Sequence, residues 1–199
     1  MLVIGLVGAI GAGKTEVLKL LGERGARTVA ADELSREVLA PGQPALAQVR
    51  AAFGDEYFDA QGHLIRRTLG NLIFHDEAAR QRLDAIVHPL MTELLKQRLE
   101  QWRHEGVAVA VVESAVLEEM GACPLVDKVV RVEAADALRL RRLRQRDGLT
   151  EQEATQRLQA HARLALDGTD ADLLLTNDGE LEKLRKQVEQ LWPALVDMS

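Results

Sequence analysis

The chain has 199 residues, and its 25 Lys and Arg side chains against 31 Asp and Glu give a formal charge of −6 at pH 7. This acidic balance disfavours a general nucleic-acid-binding protein, and the absence of any run of about 18 apolar residues argues against a membrane partner. The single cysteine, Cys123, excludes an internal disulfide and favours a reducing, cytoplasmic setting.

The N-terminal part has the pattern of a βαβ unit. Residues 2–7 form a continuous apolar run, which predicts a strand buried on both faces. A helical pattern runs from Thr15 to about Gly25, and residues 28–31 predict a second strand. Residues 33–105 are mostly helical in pattern, and their longest helix is predicted from Pro89 to about His104.

The C-terminal half alternates strands and helices. Strands are predicted at 107–112, 128–132 and 172–176, and helices at 135–146, from Thr150 to about 166, and at 180–195. Thr150 and Glu153 have the spacing of a capping box. Such alternation predicts one three-layer α/β domain over 1–199 with a parallel sheet. Because roughly 70 strand-free residues exceed one crossover, we predict a helical lobe inserted at about 36–105.

The strongest motif lies between the first strand and the first helix. Residues 8–15 are Gly-Ala-Ile-Gly-Ala-Gly-Lys-Thr, a complete GxxxxGK[ST] phosphate-binding loop. Glycines let backbone N–H groups converge on phosphate oxygens, and the helix N-terminus adds partial positive charge. Lys14 is predicted to reach the β- and γ-phosphates and Thr15 to ligate Mg²⁺. The predicted nucleotide-binding residues here are Gly8, Gly11, Ala12, Gly13, Lys14, Thr15 and Glu16.

Three protein classes compete for this loop: a kinase of a small acceptor, a regulatory GTPase and a non-catalytic nucleotide-binding module. No Asn-Lys-x-Asp segment occurs, which disfavours the GTPase. A kinase often offers its acceptor hydroxyl a carboxylate base, and Asp32 follows the second strand at the expected sheet edge. Alternatively, Asp32 is the N-cap of a helix beginning near Glu33. Glu113 is a second candidate, as a metal or water ligand or a polar strand end.

An arginine cluster falls on the helix predicted at 135–146. Three of its members have i, i+3 and i+7 spacing, so they share a face that can close over polyphosphate as a lid. The alternatives are a solvated basic face or an RNA contact, and we favour the lid because the rest of the chain is acidic. The shared face holds Arg139, Arg142 and Arg146, whereas Arg141 and Arg144 point elsewhere.

Six segments in order resemble the dephospho-CoA kinase family along nearly the whole chain. The loop at 5–15 resembles the family's phosphate loop, and residues 30–36, Ala-Ala-Asp-Glu-Leu-Ser-Arg, resemble its Asp-Ala-Asp-x-Ile-Ala-Arg segment. Residues 41–46, 62–70 and 86–90 resemble its substrate lobe. Arg142, Arg146, Ala171-Asp172 and Asn177-Asp178-Gly179 resemble its lid and C-terminal nucleotide-binding region.

The resemblance implies a P-loop kinase fold with a helical lid at about 136–168. It also implies transfer of the ATP γ-phosphate to the ribose 3′-hydroxyl of dephospho-CoA, a small-molecule substrate, giving CoA and ADP. Asp32 matches the family's proposed general base, and Arg142 resembles the lid arginine that meets phosphate. Asn177 lies where adenine is approached. Three residues match positions in or beside the acceptor site: Arg36, Arg67 and His88. Without the resemblance, His88 is instead interpreted as the cap of the helix predicted from Pro89.

The chain departs from the family pattern at several positions. The first Asp of the Asp-Ala-Asp segment is Ala30, which leaves Asp32 as the only carboxylate of that pair. Residues 115–119 replace a Pro-Leu-Leu-Phe-Glu run and keep its acidic end as Glu119. His161 replaces a glutamine and is assigned no role. The alternative functions are a nucleoside monophosphate kinase and a non-enzymatic, ATP-dependent binding module; the sequence does not indicate an oligomeric state.

Overall fold

A computed structural model describes residues 1–164 and 170–197, apart from the side chains of residues 161–164. All neighbouring strands of its sheet run parallel. The strands are β1 (Leu2–Val7), β2 (Arg27–Ala30), β3 (Val109–Glu113), β4 (Lys128–Glu133) and β5 (Leu173–Thr176). Their order is β2-β3-β1-β4-β5. The predicted α/β fold with a parallel sheet is confirmed.

Helices cover both faces of the sheet, so the domain has three layers. The helices of the described residues are α1 (Lys14–Glu23), α2 (Ala31–Val38), α3 (Pro44–Phe53), α4 (Arg66–His75), α5 (Glu77–His104), α6 (Asp136–Asp147), α7 (Glu151–Leu164) and α8 (Leu181–Asp197). Leu2, Ile4 and Leu6 of β1 pack in one buried cluster with residues of α1 and α8. Val3 and Val7 belong to the opposite cluster with α5. This alternation follows from the two-residue period of a strand, and it explains why β1 is apolar throughout.

The register of the sheet brings three carboxyl-terminal strand ends together. Glu113, the last residue of β3, pairs with Leu6 of β1 on one side and with Ala30 of β2 on the other. The loop after β1 and the start of α2 therefore lie at one edge of the sheet. In parallel α/β sheets this edge is where ligands bind.

The stretch between β2 and β3 is helical, as predicted. Residues 31–108 are all described, and they contain no strand apart from an isolated bridge between Phe58 and Leu64. Helix α5 packs against α2, α3 and α4. The exact boundaries of the substrate lobe, at about 36–105, and of the lid, at about 136–168, stay predictions. Residues 165–168 of the lid lie outside the described residues.

One helix prediction is wrong. Helix α5 begins at Glu77 rather than Pro89, and the Asp76 side chain accepts a hydrogen bond from the Ala79 backbone N–H at 3.0 Å at its start. Pro89 lies inside the helix, where its missing N–H usually ends or bends a helix. Buried residues continue on both sides of Pro89 with a spacing of four, from Val87 to Met91 and beyond. The packing of this face offsets the proline, so His88 does not cap a helix.

The other element predictions differ from the structure by a few residues. Strand β3 begins at Val109 rather than residue 107, and α8 begins at Leu181 rather than residue 180. The predicted capping box of α7 is confirmed, since the Thr150 N–H donates to Glu153 at 2.8 Å and the Glu153 N–H donates to the Thr150 hydroxyl at 3.3 Å. None of the described helices has the length and apolar character needed to cross a bilayer. A cytoplasmic location stays a prediction.

Candidate active site

The loop between β1 and α1 needs glycine at two tight positions. Gly8 has φ +146°, and a Cβ atom there would collide with the Val132 carbonyl oxygen. Gly13 has φ +100°, and a Cβ atom there would collide with the Asn177 side-chain amide. These φ values favour glycine, and the contacts exclude any larger residue. The loop therefore packs directly against β4 and the segment after β5.

Lys14, the first residue of α1, spans the loop. Its Nζ donates to the Gly8 carbonyl at 3.0 Å and lies 3.5 Å from a Glu113 carboxylate oxygen. Burial raises the pKa of Glu113, Lys14 opposes this effect, and the charge of Asp32 adds to it. Thr15 follows on the same helix and is exposed, and Glu16 is half-buried. The site thus has an ammonium group paired with one carboxylate, and the charge of a second carboxylate acts on that pair.

Asp32 lies where the strand order predicted it. Helix α2 begins at Ala31, so Asp32 is its second residue and Ala30 precedes the helix. The alternative that Asp32 is the N-cap is therefore wrong. Its carboxylate is exposed and makes no hydrogen bond or ion pair with the described residues. Its charge nevertheless raises the pKa of both Glu113 and Arg146, which indicates that it lies near both.

Two arginines of α6 bind the outer carbonyls of the loop. Arg139 Nε donates to the Ile10 oxygen at 3.0 Å, and Arg142 donates to the Gly11 and Ala12 oxygens at 3.1 and 3.2 Å. A trans peptide directs its N–H opposite to its C=O. Each of these bonds holds a loop C=O toward α6. The N–H of the next residue belongs to the same peptide group and therefore points away from α6. The predicted shared face is confirmed for Arg139 and Arg142.

Asn177, the residue after edge strand β5, joins α6 to the loop. It is buried, and its Nδ2 donates to the Ala12 oxygen at 2.8 Å. Arg142 donates to the Asn177 Oδ1 at 2.9 Å and to its backbone oxygen at 3.2 Å. Burial, followed by the repulsion of Arg141, lowers the pKa of Arg142. Arg142, Asn177 and the loop therefore form one hydrogen-bonded unit.

The third arginine of the face has a different environment. Arg146 bonds to Asp147 at 2.7 and 2.9 Å, and Asp147 also accepts a hydrogen bond from Arg157 at 3.0 Å. The bond to Asp147 is the largest cause of the raised pKa of Arg146, and Asp32 contributes at longer range. Arg144 instead pairs with Glu151 at 3.3 Å, off the shared face. Arg146 thus approaches the Asp32 side of the site.

The three residues matched to the acceptor site are not together. Arg36 lines a cavity of about 360 Å³ whose other cationic group is Arg66. Arg67 is exposed on α4 and does not line it. His88 lines a separate cavity of about 430 Å³, where its Nδ1 lies 3.2 Å from the Glu119 carbonyl oxygen. Arg66 was not identified from the sequence, because the first residue of α4 determines whether Arg66 or Arg67 faces the cavity.

The oxygen groups of the site suit a magnesium ion held mainly by the nucleotide. Within the described residues no group of three or more His, Cys, Asp or Glu side chains converges as a metal site. Mg²⁺ in nucleotide enzymes usually has one or two protein oxygens together with phosphate oxygens and waters. The exposed Thr15 hydroxyl and the Glu113 carboxylate, which pairs with Lys14, fit such a small set of protein donors.

Comparisons with known proteins agree along the chain. A family model described as dephospho-CoA kinase matches residues 2–183. The dephospho-CoA kinase of Geobacter sulfurreducens is 39% identical over 192 residues, covering 96% of this chain and 98% of that protein. The dephospho-CoA kinase of Streptomyces avermitilis is 42% identical over 200 residues, covering 98% and 95%. A crystal structure from Thermus thermophilus matches with a TM-score of 0.77 at 27% identity, covering 98% of this chain and 97% of that one.

Proposed function

The chain belongs to the dephospho-CoA kinase family and is an ATP-dependent kinase of dephospho-CoA, and on this basis we propose how its residues share the work. The reaction transfers the γ-phosphate of ATP to the ribose 3′-hydroxyl and gives CoA and ADP. The observation that carries the proposal is the register at Glu113, which brings the phosphate loop and Asp32 to one sheet edge. A donor phosphate and an acceptor hydroxyl meet there.

The loop binds the phosphates of ATP. Its backbone N–H groups and Lys14 neutralise phosphate oxygens, and the N-terminus of α1 adds partial positive charge. The bond from Lys14 to Gly8 at 3.0 Å supports this role, because it holds the ammonium group across the loop before ATP arrives. The nucleotide-binding residues in this proposal are Gly8, Gly11, Ala12, Gly13, Lys14, Thr15, Glu16, Arg142 and Asn177.

Arg142 and Asn177 act mainly by fixing the shape of the loop. Their bonds to the Gly11 and Ala12 oxygens support this role, since loop N–H groups that are already oriented need no rearrangement when phosphate binds. Arg142 also keeps its positive charge close to the developing charge on the transferred group. Asn177 stands after β5, beside the loop on the side away from Asp32, where the adenine end of ATP is placed in this proposal.

Asp32 orients the acceptor hydroxyl and takes its proton. Its exposure and its lack of a partner among the described residues support this, because a carboxylate held in an ion pair would be a poor base. Phosphoryl transfer needs little covalent chemistry from the protein, so positioning and charge stabilisation supply most of the rate. Asp32 supplies the alignment, and Lys14 and Arg142 supply the positive charge.

Mg²⁺ is part of the proposal, with Thr15 as its protein ligand. When bound, Mg²⁺ neutralises the β- and γ-phosphates and withdraws charge toward the leaving ADP. Glu113 holds Lys14 at 3.5 Å, and so keeps this ammonium group next to the position of those phosphates. On the acceptor side, Arg36, Arg67 and His88 stay the residues proposed from the family resemblance.

The reaction is tested by measuring ADP release with dephospho-CoA, with nucleoside monophosphates and without acceptor. We expect ADP and CoA to form in equal amounts only when dephospho-CoA is present. Equal turnover with a nucleoside monophosphate would identify a nucleoside monophosphate kinase. ATP binding without acceptor-dependent ADP release would identify a non-enzymatic, ATP-dependent binding module.

A further inference from the structure

Helix α2 carries three kinds of side chain in series along one face. Asp32 and Arg36 are four residues apart, so their side chains lie on the same face about 6 Å apart along the axis. Leu39 and Ala40 follow at the end of the helix and line the same cavity as Arg36. Moving away from the phosphate loop, the face is first acidic, then cationic and then apolar.

Two arginines without a counterion lie at the cationic part of this series, Arg36 on α2 and Arg66 on α4. Arg66 Nη2 lies 3.5 Å from the Arg36 backbone oxygen, and both side chains line the cavity. Neither guanidinium has an ion pair with a carboxylate among the described residues. Both residues are exposed, whereas two half-buried arginines of the helical stretch do have one: Arg98 pairs with Glu37 at 2.7 Å, and Arg80 pairs with Glu77 at 2.6 Å. Arg36 and Arg66 therefore form an uncompensated pair of cations, which we call the arginine pair.

Three effects disfavour the arginine pair when no anion is present. Burial lowers the pKa of Arg66, and the positive charge of Arg36 lowers it further. Arg66 is also the first residue of α4, whose first turn has no acidic residue, and a helix N-terminus repels a cation. An anion between the two guanidinium groups relieves all three effects. Because both arginines are exposed and line the cavity, a ligand that carries negative charge can reach them from solvent.

The walls next to the arginine pair are apolar. Leu39, Pro41, Leu46 and Leu64 line the remaining part of the cavity, whose volume of about 360 Å³ is within the usual range of ligand sites. The ionisable neighbour His63 is held by Asp59 at 3.3 Å. A ligand of this cavity therefore needs an anionic group joined to a long, weakly polar chain.

We propose that Arg36 and Arg66 bind the 5′-diphosphate of dephospho-CoA, and that the apolar wall of the same cavity binds its pantetheine arm. This inference rests on the proposed function, because it takes dephospho-CoA as the acceptor. The order along α2 is the order along that molecule: the ribose hydroxyl at Asp32, the diphosphate one turn later at Arg36, and the pantetheine arm at Leu39. Arg66 supplies the second cation from the opposite wall.

The test compares two acceptors in Arg66→Ala and the unchanged enzyme. Dephospho-CoA carries the diphosphate, whereas adenosine has the ribose hydroxyl without it. Loss of one charge-assisted contact is expected to raise the KM for dephospho-CoA about 10- to 100-fold, with little change in the KM for ATP. The ratio of kcat/KM for dephospho-CoA to that for adenosine should fall by the same factor. Arg66→Lys should recover part of it.

Arg103→Ala is the matched control, because Arg103 is an exposed arginine at the end of α5, away from the cavity. It should keep the KM for both substrates, and the thermal midpoints of all variants establish that they are folded. An active parent enzyme whose Arg66→Ala variant keeps its KM for dephospho-CoA overturns the inference. An equal loss with adenosine overturns it too, since the contact would then not involve the diphosphate. A parent enzyme that is inactive with dephospho-CoA contradicts the proposed function instead.

Discussion

Two carboxylates beside the phosphate loop have different surroundings. Asp32 is exposed and has no partner among the described residues, while Glu113 is largely buried against Lys14. A group that exchanges a proton with substrate must be accessible to it, and a group that positions a neighbour must be held. The structure therefore supports Asp32 as the base and Glu113 as the residue that positions Lys14.

Replacing Asp32 by Asn tests the proposed base. Asn has the same size but does not accept the proton, so kcat should fall by about 10²- to 10⁴-fold while the KM for ATP changes little. Steady-state kinetics with both substrates varied measure this split. Glu33→Gln is the control, because Glu33 is the adjacent exposed carboxylate on α2. Near-normal turnover in Asp32→Asn would remove Asp32 from the mechanism.

The buried carboxyl of Glu113 should make stability depend on pH. Its pKa lies above the ordinary 4.5, mainly because burial disfavours the charged form. Such a group favours folding below its ordinary pKa, and this contribution is lost as the pH rises through the raised value. Gln does not ionise, so the free energy of unfolding of Glu113→Gln relative to the unchanged protein should increase from about pH 4 to pH 7.

Urea unfolding at several pH values measures the Glu113 effect. Glu118→Gln, which removes an exposed carboxylate from the following segment, is the control. Stability curves of Glu113→Gln and the unchanged protein that stay parallel over this pH range would contradict the assignment.

At the scale of elements, helix α6 is tied to the phosphate loop rather than standing apart from it. Arg139 and Arg142 reach three consecutive carbonyls of the loop, and Arg142 also reaches the segment after β5. Movement of the helix and the shape of the loop are therefore linked. Through these bonds, α6 fixes the orientation of the loop before ATP is bound.

Removal of the Arg142 side chain should loosen this link. In Arg142→Ala, we expect the KM for ATP to rise and kcat to fall, each by about 10-fold or more, because charged hydrogen bonds are lost from the loop and Asn177. The KM for dephospho-CoA should change less. Arg141→Ala, an exposed arginine on the other face of α6, is the control. A change confined to the KM for dephospho-CoA would show that Arg142 does not serve the nucleotide.

Helix α5 holds the segment after β3 at two points one turn apart. His88 lies 3.2 Å from the Glu119 carbonyl, and the Thr92 hydroxyl donates to the Met120 carbonyl at 2.6 Å. This segment directly follows Glu113, so the helix supports the position of the Lys14 partner. His88 therefore has a structural contact, whatever part it has in the proposed acceptor site.

The buried Thr92 hydroxyl should contribute measurably to stability. Thr92→Val keeps the shape but leaves the Met120 carbonyl without its donor, which is expected to lower the free energy of unfolding by about 1–3 kcal/mol. Chemical denaturation measures the loss. Thr68→Val, at an exposed site near the start of α4, should stay within about 0.5 kcal/mol of the unchanged protein. Equal losses of unfolding free energy in the two variants would show that the Thr92 hydrogen bond does not contribute to stability.

Sequence patterns identify elements well where one signal dominates. The apolar run of β1 and the motif after it place Lys14 and Asp32 correctly, because strand ends of a parallel sheet share an edge. The start of α5 was missed because Pro89 is a strong local signal, while the buried face that overrides it becomes visible only against α2 and α4. Arg66 was missed for a similar reason, since its direction depends on the first residue of α4.

At the scale of the whole molecule, nucleotide binding should stabilise the fold. A non-hydrolysable ATP analogue at 100 times its Kd is expected to add about 2.7 kcal/mol, which corresponds to roughly 5–10 °C in the thermal midpoint of a chain of this size. Lys14→Ala should lose most of this shift at the same concentration. Arg103→Ala should keep it. An equal shift in Lys14→Ala would place the nucleotide elsewhere.

The order of the strands has a consequence for how two substrates share one loop. Strands β2 and β5 form the two edges of the sheet and β1 lies at its centre. Asp32 follows one edge strand and Asn177 follows the other. With the roles proposed for these two residues, the acceptor and ATP would enter from opposite flanks of the sheet. The proposed arrangement therefore favours direct transfer between two bound substrates, without a phosphorylated protein.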